Sequence, residues 1–186
     1  MKNILIGFMT ILFFQSLYAK ELSLNYNDYD SAHSGDKKII FHMESTKAGL
    51  ITTSFDGVVK EGSIVYKEEK GQYRDVVIRI KAMSLDTDND ARNEKMYEET
   101  LTVKKYPEII VSLKGPIKFN QENIAIIKIR GQEYPIKIFM RESHNEKQTL
   151  ISGHSNVSIK ALKIPDPSIW IASVRDLVEI KFTFVL

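Results

Sequence analysis

Cysteine is absent from the 186 residues. That removes disulfides, thiolate metal ligands and thiol nucleophiles at once. It also rules out a lipid-modified cysteine after the apolar N-terminal run. An excess of one charge is missing too: 26 Lys and Arg stand against 24 Asp and Glu, so nothing in the charge favours nucleic acid. No apolar run reaches the roughly 20 residues that span a bilayer as a helix. No repeat and no low-complexity linker is present.

Catalytic and metal constellations are missing as well. His33, His42, His144 and His154 fall in separate segments with no metal-ligand spacing, and each reads as an ordinary surface residue. Gly153-His154-Ser155-Asn156-Val157 lacks the final glycine of a nucleophile elbow. Asp86, Asp88 and Asp90 imitate a calcium loop, but Ala91 replaces its glycine and Tyr97 its closing glutamate. Those carboxylates read better as helix caps. No enzyme, cofactor or metal site is expected.

What is present begins with Lys2, an apolar run over residues 4–14 and the small Ala19, the layout of a secretory signal peptide over residues 1–19. The run is short for a membrane anchor, so export with cleavage near Ala19 is the reading. Residues 20–36 are polar and turn-rich and are expected as a loosely attached arm. The rest is one domain's worth of chain, enough to bury roughly 70% of its unfolded surface.

From Lys38 onward, apolar residues alternate with polar ones at the period of a half-buried strand. Phe41 lies in the first such segment, Phe55 in the second, Ile78 and Ile80 in the third, Ile109 and Val111 in the fourth. Segments near 124–130, 134–140, 157–161 and 178–184 follow, the later ones carrying Ile138, Ile159 and Ile180. Gly57 suggests a bulge or bend. Ile124 and Ile126 oppose Ile127 and Ile129, so both faces of that strand are expected to be covered. One charged helix, about 88–105, interrupts the series, with Asp86, Asp88 and Asn89 as candidate caps and Met96 on its apolar stripe. Trp170 suits equally a lid over a ligand mouth and plain cover for an end of the fold. The pattern predicts an all-β, antiparallel, eight-stranded barrel with one inserted helix. A barrel of that size either fills its interior or holds one small ligand, and the alternation alone leaves both open.

Three motifs carry a resemblance. Ser84-Leu85-Asp86-Thr87, then Asp90-Ala91-Arg92-Asn93, then Tyr106-Pro107-Glu108-Ile109 resemble, in order and spacing, the YceI-like family of bacterial periplasmic proteins. The resemblance covers about residues 37–186. Asn93 stands where the family usually has Asp, Lys95 where His is common, and Val111 where Phe is usual. The resemblance implies a lipocalin-like barrel and a non-catalytic periplasmic carrier. Its ligand would be a polyisoprenoid or fatty-acid-like lipid, held in the lumen with no other cofactor. Phe41, Phe55, Ile78, Ile80, Met96, Ile109, Val111, Ile138, Ile159, Trp170 and Ile180 are the lumen candidates. A long-chain lipid is thus the expected partner, with no nucleic acid and no membrane span in the mature form; a homodimer stays open. Two rivals remain: a small outer-membrane barrel, which the charged helix and the lack of aromatic girdles disfavour, and a solid barrel without a ligand.

Overall fold

Strands dominate because the apolar residues recur at every second position and are rich in Ile, Val and Phe, which suit a pleated, half-buried surface. The computed structural model describes residues 19–145, 148–168 and 172–186. The expected signal peptide, apart from Ala19, and Trp170 lie outside the described residues.

The chain runs β1 (Ala19–Asn25), α1 (Tyr29–Ser34), β2 (Lys37–Lys47), β3 (Ile51–Val59), β4 (Glu61–Glu69) and β5 (Gln72–Lys81). It continues through β6 (Leu85–Asp86), α2 (Asp90–Lys95), a π-helical turn (Met96–Thr100), β7 (Glu108–Pro116), β8 (Gln121–Ile129) and β9 (Gln132–His144). β10 (Thr149–Ser158), β11 (Ala172–Val174) and β12 (Leu177–Val185) complete it. All pair antiparallel in one sheet, in the order β1-β4-β5-β7-β8-β9-β10-β12-β2-β3-β6, with β11 on β2. The sheet curls into a half-barrel of lipocalin-like form. Lys60 alone separates β3 from β4, so these two form one bent strand that joins opposite ends of the pairing order. β6, which follows β5 in the chain, pairs with Val58 and Val59 of β3 and draws the same corner together.

Several expectations need correction. Among the described residues the sheet holds twelve strands, not the eight expected, because β1, β4, β6 and β11 escape the alternation. Residues 20–36 are not a loose arm. β1 pairs with β4 along its whole length, Leu24 is buried, and Asp28 caps α1 in a reciprocal pair with Ser31. The physical reason is that β4 otherwise has a free edge. β4 itself escapes the alternation because its inward side holds only Ile64 and Tyr66 beyond Gly62. A Cβ at Gly62 would stand 2.7 Å from the Arg79 carbonyl oxygen, so the glycine serves close strand contact. Gly57 causes no bulge: β2 and β3 stay in unbroken register from Ile40↔Val58 to Lys47↔Ile51. Ile124 and Ile126 are exposed, so only the inner face of β8 is covered.

The inserted helix is shorter than its expected span. α2 and the π-helical turn end at Thr100, and Thr102 adopts φ +53°, a left-handed conformation that stops the helix. Arg130 Nη1 donates to the Thr100 carbonyl and to Thr102 Oγ1, which satisfies groups the helix end leaves open.

Candidate functional site

Each long strand turns one apolar row inward, and together these rows line a cavity of about 460 Å³. The volume falls within the roughly 300–1,000 Å³ of ordinary ligand pockets. The lumen is therefore not solid. Phe41, Phe55, Ile78, Ile80, Met96, Ile109, Val111, Ile138, Ile159 and Ile180 all stand on its wall, so the fold brings together every lumen candidate that it describes. The alternation also passes over wall residues whose signal is equally plain: Met43 shares the row of Phe41, Met140 that of Ile138, and Phe182 that of Ile180.

The segment over residues 85–101 roofs the cavity. Asn89, not Asp86 or Asp88, caps α2: its side chain accepts from the Arg92 N–H at 2.9 Å. Asp86 instead anchors the roof to the barrel. Its Oδ2 accepts from Lys60 Nζ at 2.9 Å, and its Oδ1 accepts from the Asp88 N–H at 3.0 Å and from Asn93 Nδ2 at 2.9 Å. The Asn93 side-chain Oδ1 in turn accepts from the Thr87 N–H and Thr87 Oγ1. Tyr97 donates to the Leu85 carbonyl. Burial pushes the Asp86 carboxyl up, but the hydrogen bonds from Lys60, Asn93 and the Asp88 backbone outweigh it and hold the group below its ordinary value. The side chain of Asn93 thus supplies acceptor and donor in one place, which explains an amide at this position.

Among the described residues, charge enters the wall only from the roof. Arg92 lies over the Phe55 ring, its Cζ 3.8 Å from the ring centre, and donates to the Thr87 carbonyl at 3.2 Å. Burial lowers its pKa; a guanidinium stays charged regardless. Lys95 reaches the Ser168 carbonyl at 3.3 Å and Glu99 at 3.7 Å, tying α2 to the loop after β10. Arg92 and Lys95 belong to the stretch that carries the family resemblance, yet the sequence gives no sign that they face the lumen, because a charge in an amphipathic helix looks like solvated surface.

The adjacent His154 and Ser155 do not form a catalytic pair. His154 and Ser155 point to opposite faces: His154 stacks on Phe139, whereas Ser155 is buried and donates to the Lys137 carbonyl. His42 and His33, distant in sequence, do meet, both on Asp56, at 2.6 Å and 3.7 Å. That cluster joins α1 to β2 and β3. Among the described residues no group of three or more His, Asp or Glu is placed to hold a metal. A second depression of about 570 Å³, on the outer side of α2, mixes Lys60 and Lys104 with Asp86, Asp90 and Glu94; Lys60 pairs with Asp86 at 2.9 Å and Lys104 with Glu98 at 3.9 Å. No helix among the described residues is long and apolar enough to cross a membrane.

Comparison with solved structures finds the same fold. Burkholderia cenocepacia BcnA matches with a TM-score of 0.66 at 17% identity, covering 86% of this chain and 99% of that one. A polyisoprenoid binding domain from Saccharophagus degradans, implicated in plant cell wall breakdown, matches at 0.56 and 11% identity, covering 80% and 95%. A mutant of the Campylobacter jejuni YceI protein matches at 0.51 and 16%, covering 71% and 86%. At such identities the likeness speaks for the fold. No curated protein matches the sequence. The model of the YceI-like domain matches residues 28–186, starting at the cap of α1, and the chain accordingly belongs to the YceI-like family.

Proposed function

We propose that this protein is a non-catalytic periplasmic carrier that holds one long-chain lipid, a polyisoprenoid or fatty-acid-like chain, in the lumen of its half-barrel. The observation that carries this reading is the cavity of about 460 Å³ walled by inward Ile, Val, Phe and Met. The charges on its wall among the described residues, Arg92 and Lys95, belong to the roof. The apolar tail lies along the strand rows, and the polar head rests near these two cations. Membership of a binding-protein family and the polyisoprenoid-binding neighbour support the ligand class.

Magnitudes agree. Burying one methylene contributes about 0.8 kcal/mol, so a five-carbon isoprene unit contributes roughly 3 to 4 kcal/mol gross. Association costs about 4 to 15 kcal/mol. A single unit is lost again, whereas several are retained. The outer-membrane rival fits the polarity badly. Such barrels turn apolar residues to lipid and polar ones inward, while here Lys137 and Glu122 pair at 2.9 Å on the outside and the lumen is apolar.

Mass spectrometry of an organic extract of the protein, purified without detergent from a periplasmic fraction, tests the reading. One long-chain lipid in near-stoichiometric amount is expected. An empty extract, together with no uptake of added prenyl alcohol, would overturn it.

A further inference from the structure

The lumen does not run the length of the barrel. On β10 the inward row passes through Gly153, which has no side chain to fill its place. Its antiparallel partners fill it from both sides: Met140 on β9 and Phe182 on β12. A Cβ at Gly153 would stand 2.4 Å from the Phe182 Cζ, so the ring lies over the glycine. Met140 and Phe182 are both buried. Met140 borders the main cavity on one side and a separate void of about 40 Å³ on the other, and Ile78 does the same from β5.

Beneath that level the barrel is plugged by rings. Tyr66 and Tyr73 meet at 5.5 Å, Tyr73 and Phe119 at 6.1 Å, and Phe182 stacks on Phe184 at 5.5 Å. Tyr73 turns inward because β5 carries an irregularity between Arg74 and Val76, where Asp75 takes φ +49°. One extra residue reverses the facing of everything before it. The Asp75 carboxylate, accepting from the Gly115 N–H and Lys67 Nζ, pins that bulge.

Building on the carrier reading, we propose that Met140 and Phe182, side by side over Gly153, form the floor of the lumen. This floor sets the length of apolar chain the protein can bury. Met140 is the member that decides it, because an unbranched thioether is the only adaptable side chain at that level, and because it alone with Ile78 separates the two spaces. Shortening it joins the small void to the large one and lets a chain pass further down. Enlarging it raises the floor.

The test measures affinity of the delipidated protein for straight-chain fatty alcohols, from decanol to eicosanol, by competition against a fluorescent fatty acid. In the wild type, affinity is expected to rise about fourfold per added methylene, the equivalent of about 0.8 kcal/mol, and then level off where the chain meets the floor. Met140→Ala should move that break to longer alcohols by about two to three carbons on the same per-methylene scale; Met140→Phe should move it to shorter ones. Should Met140→Ala not fold, the milder Met140→Val is read in the same way. An unmoved break in folded variants overturns the floor and leaves the carrier reading intact, as does a wild-type curve without a break. Absence of all binding in the wild type overturns the carrier reading and the floor with it.

Discussion

The ring of Phe41 lies across Gly57: a Cβ at position 57 would come within 2.1 Å of its Cζ. The two residues are direct partners in the β2–β3 register, and the glycine makes room for a ring on the cavity wall. Gly57→Ala should therefore swing the ring into the lumen. The obstacle is the tip of one side chain beside open space, and alanine also restricts the unfolded chain, worth about 0.4 to 1 kcal/mol in its favour where the backbone permits it. Stability should change by less than about 1 kcal/mol while lipid uptake falls several-fold. Denaturant melts beside an uptake assay decide it; unchanged uptake would mean that the ring turns elsewhere.

Acid should loosen the roof before the barrel. Asp86 has a folded pKa below its unfolded value. A depressed carboxylate contributes stability that is complete above its unfolded pKa, near 4, and is lost as pH falls from there through the folded value. The difference in unfolding midpoint between wild type and Asp86→Asn should therefore be largest near neutrality and shrink below about pH 4. A difference independent of pH would show that Asp86 acts through shape alone.

Asn93 offers a sharper probe of the same network. Replacing it by Asp sets a second carboxylate where the amide now donates to Asp86 at 2.9 Å. Like charges at that separation cannot both ionise cheaply, and the half-buried Asp86 loses one of its three donors, a loss of about 1 to 3 kcal/mol. The added carboxyl has a raised folded pKa, so its penalty is present above the unfolded pKa and disappears as pH falls below it. Stability of Asn93→Asp should thus approach wild type on acidification. A constant deficit across pH would assign the loss to geometry instead.

The alternation on β5, β7, β9 and β12 made the lumen wall legible, since a period of two leaves one side for each residue. Met140 and Phe182 obey the same rule, yet nothing in the sequence tells wall from floor. That distinction arises only where Gly153 leaves a gap between two neighbouring strands. Tyr73 was illegible for a related reason: its facing depends on one irregular residue, Asp75. Arg92 and Lys95 could not be found as wall residues, because their placement depends on how α2 docks. β1 hid behind polar composition: only its contact with β4 reveals that Leu24 belongs to the core.

Leu24 tests that docking directly. It is 3% exposed and sits opposite Gly62, so Leu24→Ala removes a buried side chain at a strand junction. A loss of about 2 to 5 kcal/mol is expected, measured as a lower urea midpoint with the slope unchanged. A variant as stable as wild type would return the segment to the status of a loose arm.

Filling the lumen from its wall separates an open cavity from a packed one. Val111 and Ile80 both line the cavity, on neighbouring strands β7 and β5. In a packed core, Val111→Phe forces neighbours off their rotamers and costs roughly 1 to 3 kcal/mol. Where the cavity stands open, the ring occupies space that no protein atom fills and gains apolar contact of its own. The unliganded variant should then match wild type within about 1 kcal/mol, yet retain far less lipid, because ring and chain compete for one volume. The YceI-like pattern usually carries Phe at this position, so tolerance at Val111 alone proves little. Ile80→Phe has no such precedent and carries the weight of the test. Two stable variants that no longer hold lipid would fix the lumen as the binding site. Two destabilised variants, beside a wild-type protein whose organic extract is empty, would leave a barrel that needs its interior only for its own stability.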